Sequence, residues 1–243
     1  MDPAVLREDM VDSLEHAANG ALGSERVALA MRDVPRHEFV DGGAPYADRD
    51  HRVEGTRVLA PSVAARLLCA LDPEPEDSVL VVGCGVGYTA AVIAEIVGSE
   101  NVHAVDITRH IVLTARENLE RAGYGGVLVD HRDGADGLPE YAPFDGILVE
   151  AAAVKPPRAL VQQLTPDGRL VIPLGAGIQD LSVVEGGTVS ERLATVAFEP
   201  LLIEGEQAGA IERNRTNRED REFAERHAQR RAGWEQEWID WDD

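Results

Sequence analysis

Apolar residues along this chain recur at two different spacings, and the change from one to the other marks out the elements. Residues 5–18 carry apolar positions near helical spacing, which predicts a helix. Ser24 stands as a cap before a second helix over 25–32. Residues 58–71 hold Pro61 at a helix start and an apolar face made by Val63, Leu67, Leu68 and Leu71. Four apolar residues over 79–82 then read as a strand buried on both faces. Gly83, Gly85 and Gly87 follow at every second position, and an Ala-rich run over 89–97 predicts a helix. Further strands are expected at 102–106, 127–130 and 145–152, with a helix over 108–122 ended by Gly123. Residues 158–164 read as helical, 165–168 as a turn, and 169–173, 181–184 and 193–198 as the last strands. Strands alternating with helices imply an α/β fold with a mostly parallel, doubly wound sheet; the closely spaced last strands add an antiparallel edge.

The chain changes character near its end. From Glu206 it is strongly charged and nearly devoid of aliphatic residues. Thr216-Asn-Arg-Glu219 has the form of a capping box, so a helix is expected over 216–241. Trp234, Trp238 and Trp241 are four and then three residues apart, which puts them on one helical face. That face either packs on the protein's own body or anchors a protein partner. The expected organisation is one nucleotide-binding unit over 1–205, with a helical, substrate-side region over 1–75, and a tail over 206–243.

Strand, tight glycine turn and helix form the opening unit of a nucleotide-binding α/β domain. The glycines allow close approach of backbone to ligand, and a helix N-terminus suits polar or anionic groups. A dinucleotide fingerprint would place a glycine where Tyr88 stands. G-x-G-x-G instead fits the loop of S-adenosylmethionine (SAM) methyltransferases. Asp106 ends the next strand at the offset where a carboxylate meets ribose hydroxyls; capping the following helix is its other reading. Asp133-Gly134 follows the third strand, as an adenine-facing pair or a turn.

Charge narrows the function classes. Lys and Arg total 23 against 44 Asp and Glu, a net charge of −21, and Lys155 is the sole lysine. Such acidity opposes nucleic-acid binding and suits a salt-accumulating cell, where screening mutes self-repulsion. Cys69 and Cys84 give neither metal spacing nor a disulfide framework, and Cys84 suits its loop by small size. The seven histidines form no ligand pair, so no metal is expected. No run of 18 apolar residues and no leader-like N-terminus occurs, so a cytoplasmic protein without membrane association is expected.

Several motifs in order resemble the protein-L-isoaspartate (D-aspartate) O-methyltransferase family, in a salt-adapted, archaeal-type form. Val34-Pro-Arg-His-Glu-Phe-Val40 is similar to its V-P-R-x-x-F-V, and Tyr46-Ala-Asp48 to its Y-x-D. Gly55 to Pro61 stands where the family has G-Q-T-I-S-Q-P. Gly83 to Tyr88, Asp133-Gly134, Pro143-Phe-Asp145 and Gly168-Arg-Leu-Val-Ile-Pro173 continue the pattern, so the resemblance runs to about Leu202. It implies SAM as methyl donor and the isoaspartyl carboxylate of damaged proteins as acceptor. The cofactor set is then Gly83, Cys84, Gly85, Gly87, Asp106, Ile107, Asp133 and Gly134. Tyr46, Asp48, Leu59, Pro61 and Glu150 fall on the substrate side.

Three positions depart from the family's pattern. Leu59 takes the place of its active-site serine, with Thr56 and Ser62 as nearby candidate hydroxyls. Val81 replaces its glutamate two residues before the first glycine, and Glu150 stands where threonine is common. Two other readings therefore stay open. One is a relative that binds SAM or isoaspartyl protein as a recognition module; the other is a nucleotide-dependent oxidoreductase, disfavoured by Tyr88.

Overall fold

The computed structural model describes residues 2–16 and 20–202. Two helices come first, α1 (Pro3–Glu15) and α2 (Glu25–Asp33). Asp2 caps α1 through a bond from the Ala4 amide, and the Ser24 side chain caps α2 through the Val27 amide. A small antiparallel hairpin of β1 (His51–Val53) and β2 (Thr56–Val58) follows, then α3 (Pro61–Leu71). The nucleotide-binding part comprises β3 (Val79–Val82), α4 (Tyr88–Val97), β4 (Val102–Asp106), α5 (Arg109–Ala122), β5 (Leu128–His131) and β6 (Phe144–Val149). The short α6 (Arg158–Val161) leads into β7 (Leu164–Leu174), β8 (Gln179–Glu185) and β9 (Thr188–Val196).

The main sheet runs β5-β4-β3-β6-β7-β8-β9. Strands β5 to β7 are mutually parallel, and β8 and β9 are antiparallel additions. Period-2 alternation divides the core between the two faces. Val79 and Val81 of β3 point into one apolar cluster, with α2, α3 and α4. Leu80 and Val82 point into the other, with Phe144, Ile147, Val149 and Leu160. The sequence order departs in opposite directions from β3, to β4 on one side and to β6 on the other. Ligands of open α/β sheets bind in the crevice at such a point, beyond the carboxyl ends of the strands.

Several boundaries differ from the sequence expectation. The helix expected over 158–164 ends at Val161. The expected turn at 165–168 lies inside β7, because Leu164 still pairs with Phe144 before Arg169 pairs with Gly146. Residues 165–168 bulge out of the ladder without ending the strand, and Gly168 packs too closely on the Phe144 carbonyl to carry a side chain without displacement. The last strand starts at Thr188, well before residue 193, because β8 supplies pairing partners to its polar first half. The β1–β2 hairpin has no apolar alternation strong enough to announce it. The tail over 206–243, with its expected helix and Trp234, Trp238 and Trp241, lies outside the described residues.

Candidate functional site

The site is built at the carboxyl ends of β3, β4, β5 and β6. The loop after β3 turns sharply because Gly83, Gly85 and Gly87 all have positive φ, at 75°, 51° and 94°. It is pinned to the neighbouring strand: the Gly83 and Cys84 amides donate to the Val105 carbonyl at 2.8 and 3.2 Å. From behind, the buried Asn118 side chain of α5 donates to the Val86 carbonyl at 3.1 Å. Gly87 then sits against Leu119 of α5, whose Cγ would lie 3.2 Å from any added Cβ. The loop is therefore fixed by its own backbone, and α4 starts from it with its N-terminus facing the crevice.

Asp106 does two jobs at once. Its Oδ2 accepts from the Gly85 amide at 3.1 Å and its Oδ1 from the Thr108 amide at 2.8 Å. The first bond turns the carboxylate onto the glycine loop, a role apart from ribose binding, and the second shapes the chain just before α5. Burial raises its carboxyl above the usual range, while the Thr108 and Gly85 amides pull it back. The Thr108 side chain bonds to it as well, so of a carboxylate's roughly four acceptor sites about one is left for a ligand hydroxyl.

Ile107 and Asp133 line a cleft of about 880 Å³ beside the ends of β4 and β5, together with His131, Arg132 and Asp136. The cleft has the volume of a small-molecule site. The Ile107 carbonyl and the His131 ring Nε2 are hydrogen-bonded at 2.9 Å, which ties the two strand ends together. Asp133 accepts from the Ala135 amide at 2.9 Å. Gly134 lies on Val82, whose Cγ1 would be 2.4 Å from an added Cβ; only glycine lets this turn approach β3 so closely. His131, Arg132 and Asp136 carry no sequence signal as lining residues, since each reads as an ordinary polar residue near a strand end.

On the other side of the glycine loop is a second pocket, of about 10 Å³, lined by Arg57, Leu59, Cys84, Tyr88, Thr89 and Glu150, with Val58 and Val86. It has room for about one water-sized group. Glu150 follows β6 directly, and its amide donates to the Val82 carbonyl at 2.9 Å. Its side chain accepts a hydrogen bond from the Thr89 hydroxyl in the first turn of α4. Burial pushes the Glu150 carboxyl up to about 8, and Asp106 adds to this, against the Thr89 hydrogen bond and the Arg57 charge. Burial also pushes the Cys84 thiol well up, so it stays protonated and is no nucleophile. Arg57 and Thr89 are the residues of this pocket that sequence reading missed; only the folded chain brings them beside Glu150.

The substrate-side residues serve mostly to hold the wall of this pocket. Arg36 of the V-P-R motif is fully buried. It donates to the Pro45 carbonyl at 2.8 Å and to the Leu59 carbonyl at 2.6 Å, and its guanidinium lies 4.5 Å from the Tyr88 ring centroid. Tyr46 is buried, with its hydroxyl 2.6 Å from the His37 ring. Asp48 accepts from the Ser62 amide at 2.9 Å and Asp50 from the Ala60 amide at 2.8 Å, so two carboxylates hold the start of α3 at Pro61. Arg57 pairs with Asp50 at 2.9 Å. Leu59 is 5% exposed and belongs to the core cluster. The Thr56 hydroxyl lies over Gly85, 3.6 Å from where a Cβ would stand, whereas Ser62 is not among the residues lining the pocket.

Among the described residues no group of three or more His, Cys, Asp or Glu could hold a metal ion. No helix among them is long and apolar enough to cross a membrane.

Comparison with known proteins agrees with this layout. A family model described as protein-L-isoaspartate(D-aspartate) O-methyltransferase matches residues 6–205. A protein-L-isoaspartate O-methyltransferase of Aeropyrum pernix is 45% identical over 204 residues, which cover 79% of this chain and 78% of that one. One of Halorhodospira halophila is 41% identical over 205 residues, covering 81% of this chain and 91% of that one. A solved protein-L-isoaspartate O-methyltransferase matches with a TM-score of 0.71 at 27% identity, covering 86% of this chain and 69% of that one. A Plasmodium falciparum structure solved with S-adenosyl-L-homocysteine shares the fold, with a TM-score of 0.72 at 24% identity, over 81% of this chain and 98% of that one.

Proposed function

The chain belongs to the protein-L-isoaspartate(D-aspartate) O-methyltransferase family, and from that premise we propose that it methylates isoaspartyl carboxylates of damaged proteins with SAM. The residues present fit this cofactor. Asp106 keeps an acceptor site for a ribose hydroxyl, Gly134 opens the cleft beside β3, and Ile107 and Asp133 line the room an adenine ring needs. The cofactor supplies an electrophilic methyl group on a sulfonium. The chain supplies position: the glycine loop is locked to β4 and α5, and the Arg36 fork locks the Leu59 wall against the same loop. Alignment and exclusion of water suffice, because the acceptor carboxylate is already an ionised nucleophile near neutral pH. Arg57 lines the pocket with its charge already paired to Asp50.

The observation that carries this reading is the Gly85–Asp106 bond, which turns a strand-end carboxylate onto the glycine loop beside the Leu59–Glu150 pocket. Its test is methyl transfer to an isoaspartyl peptide against the matched aspartyl peptide, in molar salt. Transfer to the isoaspartyl peptide alone is expected. Binding of SAM and isoaspartyl peptide without transfer would replace this reading by the recognition module, which the raised carboxyl of Glu150 and the buried, aliphatic Leu59 favour.

The setting we propose is the cytoplasm of a salt-rich cell, supported by the net charge of −21 and the free thiols of Cys69 and Cys84. The tail beyond Gly205 is proposed as an appended segment whose Trp234, Trp238 and Trp241 anchor either the body or a protein partner. Truncation after Gly205 is expected to leave SAM affinity unchanged, as measured by calorimetry.

A further inference from the structure

The Glu150 carboxyl is enclosed by its neighbours, on a residue that is itself partly exposed, and has no cation in hydrogen-bonding contact. Among the described residues the groups acting on it are few: the Thr89 hydroxyl from α4, the Asp106 carboxylate from β4, the Cys84 thiol from the glycine loop, and the Arg57 guanidinium from β2. Arg57 is engaged with Asp50 and with the Ala197 carbonyl. A carboxylate in such a place is costly until a positive charge joins it. The sheet order says where one would come from. Adenosine-binding groups occupy the ends of β5 and β4, with Ile107 and Asp133 in the cleft and Asp106 at the loop. The rest of an extended donor continues across the end of β3, and the next strand end is that of β6, where Glu150 stands. Neighbouring strands lie about 4.8 Å apart, so this run fits the length of a nucleoside joined to an amino acid.

Building on the SAM reading above, we propose that Glu150 is the counter-charge of the methyl donor, a specificity-determining residue that prefers the sulfonium of SAM to the neutral sulfur of S-adenosylhomocysteine. In the free protein the carboxyl holds its proton. When the cationic donor binds, the proton leaves to solvent and the carboxylate faces the sulfonium. Transfer converts a sulfonium and an acceptor carboxylate into a neutral thioether and a neutral ester. Glu150 then stands ionised and alone, takes a proton back from solvent, and the product is held less tightly than the donor. This reverses the burden that such a carboxylate would place on an anionic acceptor: with SAM bound, the sulfonium and Glu150 cancel.

Titration calorimetry at pH 7 in molar salt, in phosphate and in Tris, counts the protons released on binding. With a free carboxyl at about 8, the wild-type protein should release about 0.9 proton more with SAM than its Glu150→Gln variant does. Protonation changes of the ligand's own amino group are common to both proteins and cancel. The sign follows from the raised value: SAM prefers the ionised form, so between pH 7 and 8.5 wild-type affinity should rise about eightfold more than that of Glu150→Gln. Glu150→Gln should also lose at least tenfold of the wild-type preference for SAM over S-adenosylhomocysteine. Glutamine copies the protonated side chain in shape, and the wild-type contrast between the two ligands needs no variant. Equal proton release for SAM and S-adenosylhomocysteine, or for wild type and Glu150→Gln, overturns the counter-charge role while leaving SAM binding intact. Failure of the wild type to bind SAM at all overturns the function proposed above and this inference with it.

Discussion

The cofactor side and the acceptor side of this site are assembled in different ways. On the side proposed for the cofactor, the parts are backbone and a strand-end carboxylate: the positive-φ glycines at 83, 85 and 87, the Gly134 turn, and Asp106 bonded to the Gly85 amide. Their positions follow from one βαβ unit, so they lie at short, fixed separations in the chain. The acceptor side is a side-chain construction. It joins Arg36, the 45–50 loop, the β1–β2 hairpin, Tyr88, Thr89 and Glu150 from separate segments. Backbone sites tolerate little change, because a Cβ at Gly134 would run into Val82. Side-chain sites can change composition while keeping their shape: of the three departures, Leu59 and Glu150 line the pocket beside the loop, whereas Val81 lies in β3 beneath the loop itself.

Arg36 is where the two sides are joined, and it should give the largest effect. Arg36→Ala removes a buried guanidinium that serves the Pro45 and Leu59 carbonyls and lies over Tyr88. Two carbonyls lose their partner and a cation–π contact goes, so unfolding free energy should fall by about 3–4 kcal/mol. Denaturant titration reads this. If the two sides are separable, KM for an isoaspartyl peptide should rise while SAM affinity changes less than threefold. A parallel collapse of SAM affinity would mean that Tyr88 transmits the damage into the glycine loop, and the division into two sides would be broken.

Leu59→Ser tests the acceptor wall alone. The leucine side chain lies in the core cluster at 5% exposure, while its carbonyl, which Arg36 holds, survives the change. Losing the buried aliphatic volume should cost about 2–3 kcal/mol of stability by denaturant titration. Methyl transfer should stay similar or rise, since the new hydroxyl enters the pocket beside Glu150. A drop in both stability and turnover would show that the apolar wall itself positions the acceptor.

Asp106→Ala is the matching experiment on the cofactor side. Two backbone amides, of Gly85 and Thr108, lose their acceptor, and so would the ribose hydroxyl that the proposed SAM site assigns to it. SAM affinity should fall by about 2 kcal/mol, the scale of charge-assisted hydrogen bonds. Its KM for peptide, measured at saturating SAM, should hardly move. Unchanged SAM affinity would reduce Asp106 to a helix-entry residue.

The contrast also explains what could be read in advance. Strands of uninterrupted apolar residues, as at Val79–Val82, and the glycine spacing after them follow local rules, so the sheet and the tight glycine turn were legible. The 165–168 segment was misread because Pro and Gly signal a turn locally, whereas pairing of Leu164 with Phe144 keeps it within β7. Arg57 and Thr89 gave no signal because their importance comes from the pocket they share with Glu150, far away in sequence. The place of Glu150 on the substrate side could be read from the resemblance, whereas its raised carboxyl follows from its surroundings in the fold.

The smallest expected effect lies in the two hydroxyls nearest Leu59, and it tests how far the acceptor side extends. Ser62 stands in the first turn of α3, and its amide, not its hydroxyl, is the group held by Asp48. Ser62→Ala keeps that amide, so stability should change by less than about 0.5 kcal/mol and the methyl-transfer rate should stay within twofold. Asp48→Ala is the control; it strips the helix start of its acceptor and should cost about 1 kcal/mol of stability. Thr56 is placed differently, with its hydroxyl over Gly85 at the seam between the two sides. Thr56→Ala should therefore lower the transfer rate more than Ser62→Ala, by a few-fold, without the stability loss that follows change at Leu59. A tenfold fall on Ser62→Ala with Thr56→Ala silent would move the acceptor from the pocket of Leu59 and Glu150 to the start of α3. The pocket beside the glycine loop would then be a cofactor feature throughout, and the boundary between the two sides would shift to Pro61.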